Sequence, residues 1–158
     1  MQNKDTKKIK SAPNNKYLLL VIVGLFLLIA SIFAITITNN QKFVITDSVK
    51  FSAEVVENEE SRQKGLSGRK SLEWQHAMVF KYDKEDYWNI WMKDMNFPID
   101  VIWIDKNGRI VSIVKNIQPS SYPKTFGPKE KAFTVIELPA GSVDHFKISA
   151  SSTVNLEH

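Results

Sequence analysis

The sequence predicts a β-rich α+β domain: a mainly antiparallel sheet, curled or partly closed into a barrel, with one or two short helices and a single transmembrane helix in front. Three observations carry that expectation. Residues 17–41 contain no charged side chain. From residue 43 onward, short alternating apolar segments follow one another too closely for helical crossovers between parallel neighbours. Only the stretch 58–72 has helical character, and Gly65 and Gly68 interrupt it.

The first element is a basic tail, residues 1–16. Lys4, Lys7, Lys8, Lys10 and Lys16 stand there against Asp5 alone, so of 21 basic and 17 acidic residues the rest of the chain keeps sixteen of each. The net charge of +4 therefore belongs to the tail. Interleaved charges on the remainder exclude the clustered basic footprint that nucleic acid requires. Leu18 to Ile37 is apolar apart from Gly24, Ser31 and Thr36. Such a run, at ~1.5 Å per residue, reaches across the roughly 30 Å of a bilayer's hydrocarbon core. Residues 17–38 are thus expected to be a transmembrane helix with the lipid bilayer as its partner. The lysines place the amino terminus in the cytoplasm and the domain outside the cell membrane, in a single pass. A cleaved signal peptide shares the basic start and apolar centre. The run is long for one, however, and Ile32 stands badly three positions before a cut after Ala34. Cysteine is absent, which removes disulfides, thiolate metal sites, cysteine nucleophiles and lipoprotein attachment.

Beyond the span, residues 39–47 hold a linker and a first strand at Phe43–Thr46, and 48–156 form the domain. Val49–Val56 sets Phe51, Ala53 and Val55 against Lys50, Ser52 and Glu54, the alternation of a half-buried strand. Asn58 or Ser61 caps the broken helix. Further strands are expected at His76–Tyr82, Tyr87–Lys93, Ile99–Asp105, Arg109–Asn116, Ala132–Leu138 and Thr153–Leu156, with a tight turn at Asp105-Lys106-Asn107-Gly108. Trp88, Ile90, Met92, Val101 or Ile102, Ile104, Val111, Ile113, Val135 and Leu138 are the expected core. Residues 117–131, with Pro119, Pro123 and Pro128, read as a long irregular loop of the kind used for lids and binding. Leu156-Glu157-His158 has the composition of an expression-tag scar.

The candidate site residues are Arg69, Trp91, Lys93, Asp100 and Glu137. Strand alternation puts Tyr87, Asn89, Trp91 and Lys93 on one face and Trp88, Ile90 and Met92 on the other, and it leaves Asp100 beside apolar Ile102 and Ile104. In one reading these polar groups are buried pairs that hold strand ends together. In the other they surround a shallow pocket floored by Trp91 and rimmed by Lys93 and Arg69, for an anionic or sugar-like ligand. Arg69 would then grip Asp100 by a two-pronged bond, leaving Lys93 for the ligand or for Glu137. No metal, cofactor or catalytic set is expected: His76, His145 and His158 lie far apart in the chain, and no Gly-x-Ser-x-Gly elbow occurs. Asp94 and Asp100 as paired carboxylates for glycoside chemistry stay open, because the sequence does not set their separation.

Gly65-Leu66, Arg69, Trp91-Met92-Lys93, Pro98-Ile99-Asp100, Ile104-Asp105, Gly108, Ile110-Val111, Glu137-Leu138 and Ala140-Gly141 stand in an order and spacing that closely resembles the domain of unknown function 192 family. The chain departs from that pattern at Ser67, Ala77, Asp94-Met95 and the segment 146–152. The resemblance implies a compact β-rich domain, frequently exported or membrane-anchored, with no established activity. The expected function is therefore a membrane-anchored extracytoplasmic binding or accessory module for an envelope glycan, a small anion or an envelope protein. A hydrolase or transferase acting on envelope polymers with carboxylate chemistry is the alternative.

Overall fold

The computed structural model describes residues 18–28, 40–45 and 49–157. The chain divides into two units, residues 1–38 and 39–158. In the first, residues 18–28 form a helix, α1, whose leucine, valine, isoleucine and phenylalanine side chains are exposed. The basic tail, Tyr17 and the remainder of the expected span from 29 to 38, with the candidate cleavage site, lie outside the described residues. Among the described residues no helix is long and apolar enough to cross a membrane.

The second unit is a β-rich α+β domain. Seven strands form one sheet: β1 (Asn40–Ile45), β2 (Val49–Val56), β3 (His76–Asp86), β5 (Ile99–Ile104), β6 (Ile110–Ile117), β8 (Ala132–Pro139) and β9 (Val154–Glu157), in the order β6-β5-β8-β3-β2-β1-β9. Two short strands, β4 (Ile90–Trp91) and β7 (Thr125–Phe126), pair separately. The sheet curls until its edges meet at one bridge, Arg109 to Thr153, without closing. Gly108 makes that approach possible. Its φ of +80° is natural for glycine, and a Cβ there would run into the carbonyl oxygen of Val154. The Asp105 carboxylate shapes the same turn by accepting the N–H groups of Asn107 and Arg109 at 2.9 and 3.0 Å.

Several expectations need correction. The sheet is mainly antiparallel, but β2 and β3 run parallel, joined by a crossover that carries the helix α2 (Glu59–Lys64). That helix is shorter than the expected 58–72. Asn58 caps it, its side chain accepting the Ser61 N–H at 2.8 Å, and Gly65 with φ +48° ends it. The strand expected at Tyr87–Lys93 contracts to Ile90–Trp91, while β3 runs on to Asp86. Trp88 consequently leaves the core proper and stacks on Tyr82 at 3.8 Å and 7°, and Ile113 is only partly buried. The 117–131 stretch is ordered by a 3₁₀ turn at Pro119–Ser121, a cis Tyr122–Pro123 bond and β7. Leu156 belongs to the fold: it pairs with Phe43 in β9 and packs on the core. A four-residue helix, α3 (Ser142–His145), has no counterpart in the expectation.

The core lies in two parts, one on each face of the sheet. The inner cluster draws on every strand of the large sheet, including Phe43, Phe51, Val79, Ile102, Ile110, Ile136, Leu138 and Val154, and fills the inside of the curl. The outer cluster gathers Val56, Met78, Phe80, Val101, Trp103 and Val135 under Leu66, Ile90 and Met92. Strand β5 is buried on both faces throughout, as expected for a strand covered on each side.

Candidate functional site

Register decides which candidate residues meet. On the outer face Glu54, Met78, Glu137 and Val101 stand in one cross-strand row over β2, β3, β8 and β5. Asp100 pairs with Leu138 and belongs to the inner face. Asp100 is therefore separated from Glu137 by the sheet itself. Its two carboxylate oxygens accept the N–H groups of Asn116 at 2.8 Å and Val143 at 2.9 Å, tying the end of β6 to the start of α3. It does not meet Arg69, which instead pairs with Glu54 at 2.8 Å. With both oxygens engaged and the side chain fully buried, Asp100 forms no shared cleft with the exposed Asp94.

The outer face carries a cavity. After α2 the chain turns at Gly65–Ser67, and after β4 it turns at Lys93–Asn96. Three hydrogen bonds fasten the turns together: Ser67 Oγ–H to the Lys93 carbonyl at 2.8 Å, Gly68 N–H to the Asp94 carbonyl at 2.8 Å, and Asn96 Nδ2–H to the Arg69 carbonyl at 2.9 Å. Leu66 and Met92 are buried beneath them. The Gly65-Leu66…Arg69 and Trp91-Met92-Lys93 motifs are thus two sides of one clamp. Between the clamp and the sheet lies a cavity of about 60 Å³, with Glu137 in its floor and Leu66, Phe80, Ile90 and Met95 among its walls. It shares Arg62, Gln63, Tyr82, Asn89, Ile90 and Trp91 with an adjoining groove of about 440 Å³, which also reaches Trp88, Glu59 and Thr125.

Glu137 is the unusual group. It is only 6% exposed, and no group among the described residues hydrogen-bonds or ion-pairs its carboxyl. Burial strips the carboxylate of water and pushes its pKa up to about 8, against a smaller opposing pull from the Arg69 guanidinium. Burial therefore favours the protonated form of the side chain. Tyr82 is pushed up to about 12, first by burial and then by Glu137 and Glu59, with Arg62 opposing.

Above the cavity the groove is aromatic. The Arg62 guanidinium lies 4.9 Å over the Tyr82 ring, whose other neighbour is Trp88. Arg62 is held by the carbonyls of Lys81, at 2.9 Å, and Glu57, and by the Glu59 carboxylate at 3.4 Å. Its Nε is buried without a partner. Trp91 is 47% exposed at the rim, edge-on to Tyr122 at 6.5 Å, with the Lys93 ammonium 6.0 Å from its ring. Gly127 in the long loop lets Asn89 lie against the backbone there, where a Cβ would collide with Asn89 Oδ1.

Of the sequence candidates, the structure thus places Arg69, Trp91, Lys93 and Glu137 on the outer side and Asp100 on the inner. Sequence reasoning missed Arg62, Tyr82 and Asn89 as neighbours of Glu137. Alternation from Met78 through Phe80 to Tyr82 is a usable signal for one of them; Arg62 stands in the segment Arg62-Gln63-Lys64-Gly65-Leu66, which shares in the family resemblance, but nothing local to that segment sets its place over Tyr82. Among the described residues no three His, Asp or Glu side chains cluster as metal ligands would.

No curated protein matches the chain. Among solved structures it is similar to a Sinorhizobium meliloti protein provisionally described as a transcription regulator, with a TM-score of 0.70 and 22% identity over 74% of this chain and 93% of that one. A Novosphingobium aromaticivorans protein of unknown function is similar at a TM-score of 0.68 and 21% identity, over 72% and 83% of the two chains. At such identities the likeness is one of fold. Residues 42–156 match the profile of the family DUF192, described as an uncharacterised ACR. That range takes in both motifs of the clamp and Glu137, and the chain belongs to the domain of unknown function 192 family.

Proposed function

We propose that the protein is a membrane-tethered binding module, placed outside the cytoplasm, that holds a saccharide in the groove above Glu137. The observation that carries the reading is a buried carboxyl, with no hydrogen-bond partner among the described residues, at the floor of a cavity that opens on an aromatic groove. Buried polar groups ordinarily have partners, and a ligand supplies the one that the fold withholds. An anion is the poorer fit. Arg62 is bonded to two carbonyls and Glu59, with only its buried Nε unmatched, and Arg69 is committed to Glu54. What remains is aromatic faces beside side-chain amides, the combination that suits a ring with apolar C–H faces and hydroxyl edges. Tethering rests on the uncharged run 17–41 behind five lysines. Transcription regulation is not proposed, because the residues after 16 carry equal numbers of interleaved acids and bases.

The test is a thermal-shift series on the detergent-solubilised full chain with cell-wall saccharides, nucleotides and inorganic anions. A ligand that binds only the native state raises its melting temperature. Saccharides are expected to do so, and Trp91→Ala to abolish the shift. Stabilisation by nucleotides or anions alone would overturn the reading. A hydrolase is the second reading, favoured by one feature: a protonated Glu137 is in the state of a general acid, and Glu59 is the second carboxylate of the groove. Release of reducing ends from glycan polymer, lost in Glu137→Gln, would establish it.

A further inference from the structure

Resting on the saccharide reading, we propose that the ligand is an N-acetylated amino sugar, whose acetamido group enters the cavity and meets Glu137 while its ring stays in the groove against Trp91. Size is the first reason. The cavity is the smaller of the two adjoining spaces, about 60 Å³ against about 440 Å³, so a substituent is assigned to the cavity and the ring to the groove.

The lining is the second. The cavity sets four apolar residues, Leu66, Phe80, Ile90 and Met95, beside Glu137 and Gln63. A hydroxymethyl group leaves those apolar walls without a partner. An acetamido group answers each part. Its methyl packs on the apolar walls, its carbonyl oxygen accepts the Glu137 O–H, and its N–H donates to the amide oxygen of Gln63, whose Nε2–H is given to Glu59 at 3.1 Å. A trans amide points its N–H and C=O in opposite directions, so it needs two polar partners on different sides. Glu137 on β8 and Gln63 on α2 come from different elements and supply them.

The test compares chitotetraose, its fully de-N-acetylated tetramer and cellotetraose by calorimetric titration against the full chain in detergent at pH 7. Chitotetraose is expected to bind about tenfold more tightly than the other two, the upper worth of one net hydrogen bond. Glu137→Leu is expected to bring chitotetraose down to the level of cellotetraose, and Glu137→Gln, which keeps a donor, to preserve the preference. Cellotetraose binding within about threefold of chitotetraose would overturn the acetamido assignment and leave saccharide binding standing. Preference retained in a folded Glu137→Leu would overturn it as well. Absence of binding by all three would overturn both readings.

Discussion

Glu137 and Asp100 lie on neighbouring strands, Asp100 opposite Leu138, and their surroundings drive them to opposite chemistry. Asp100 receives two backbone N–H groups; Glu137 receives none. For Glu137 the folded pKa of about 8 lies above the 4.5 of the free group. Below about pH 4.5 the carboxyl is protonated folded or unfolded and costs nothing. As pH rises the unfolded chain ionises and the folded one does not, so stability falls up to about pH 8 and is level beyond. Glu137→Gln is therefore expected to match the wild type near pH 4 and to exceed it by several kcal/mol at pH 8, read by chemical unfolding at both pH values. Equal stability at both would mean that water reaches the carboxylate. Asp100→Ala behaves differently. It strands two amide donors, one of them fully buried, and is expected to cost ~2–4 kcal/mol while leaving saccharide binding intact in the protein that remains folded. Lost binding at full stability would return Asp100 to the site.

At the scale of elements, the clamp between the Gly65–Arg69 turn and the Trp91–Asn96 segment depends on Met92. It is 1% exposed and packs in the outer cluster with Leu66 and Phe80. Met92→Ala is expected to cost ~2–5 kcal/mol in unfolding free energy. A loss under about half a kcal/mol would show that the segment lies on the surface without support. Alternation made this residue legible as core even though the seven-residue strand expected there is two residues long, because a segment pinned at both ends keeps its inward and outward sides without a full ladder. The helix start was legible for a similar reason, since Asn58 satisfies orphan amides whatever α2 packs upon. The β2–β3 crossover was not: α2 has no buried residue in its six to announce a packing face.

At the scale of the whole molecule, Gly108 joins the two edges of the curled sheet. Gly108→Ala has to leave a φ of +80° and to push back the Val154 carbonyl, which accepts no side chain so near. It is expected to destabilise the domain by more than the ~1 kcal/mol of glycine's usual advantage at such a φ, with the loss seen first as faster amide exchange in β9. Unchanged exchange there would mean that the edges do not depend on each other. Topology is tested in cells. Protease added outside is expected to digest the domain, and protection until lysis would overturn the proposed orientation.

By itself the sequence determined the β-rich class, most strand centres, the Asp105–Gly108 turn, a helix start capped by Asn58 or Ser61, and the family. Each of these follows from local periodicity, local hydrogen bonding or motif spacing, which involve residues close in the chain. It also singled out Glu137 and Trp91, though not as partners of Arg62, Tyr82 and Asn89. Only the tertiary structure decided that Asp100 and Glu137 face opposite sides, that Arg69 binds Glu54, and that the clamp leaves a cavity over Glu137, a buried carboxyl without a hydrogen-bond partner among the described residues. The physical reason is register: a shift of one residue between β5 and β8 would exchange the two faces, and nothing local to either strand sets that pairing.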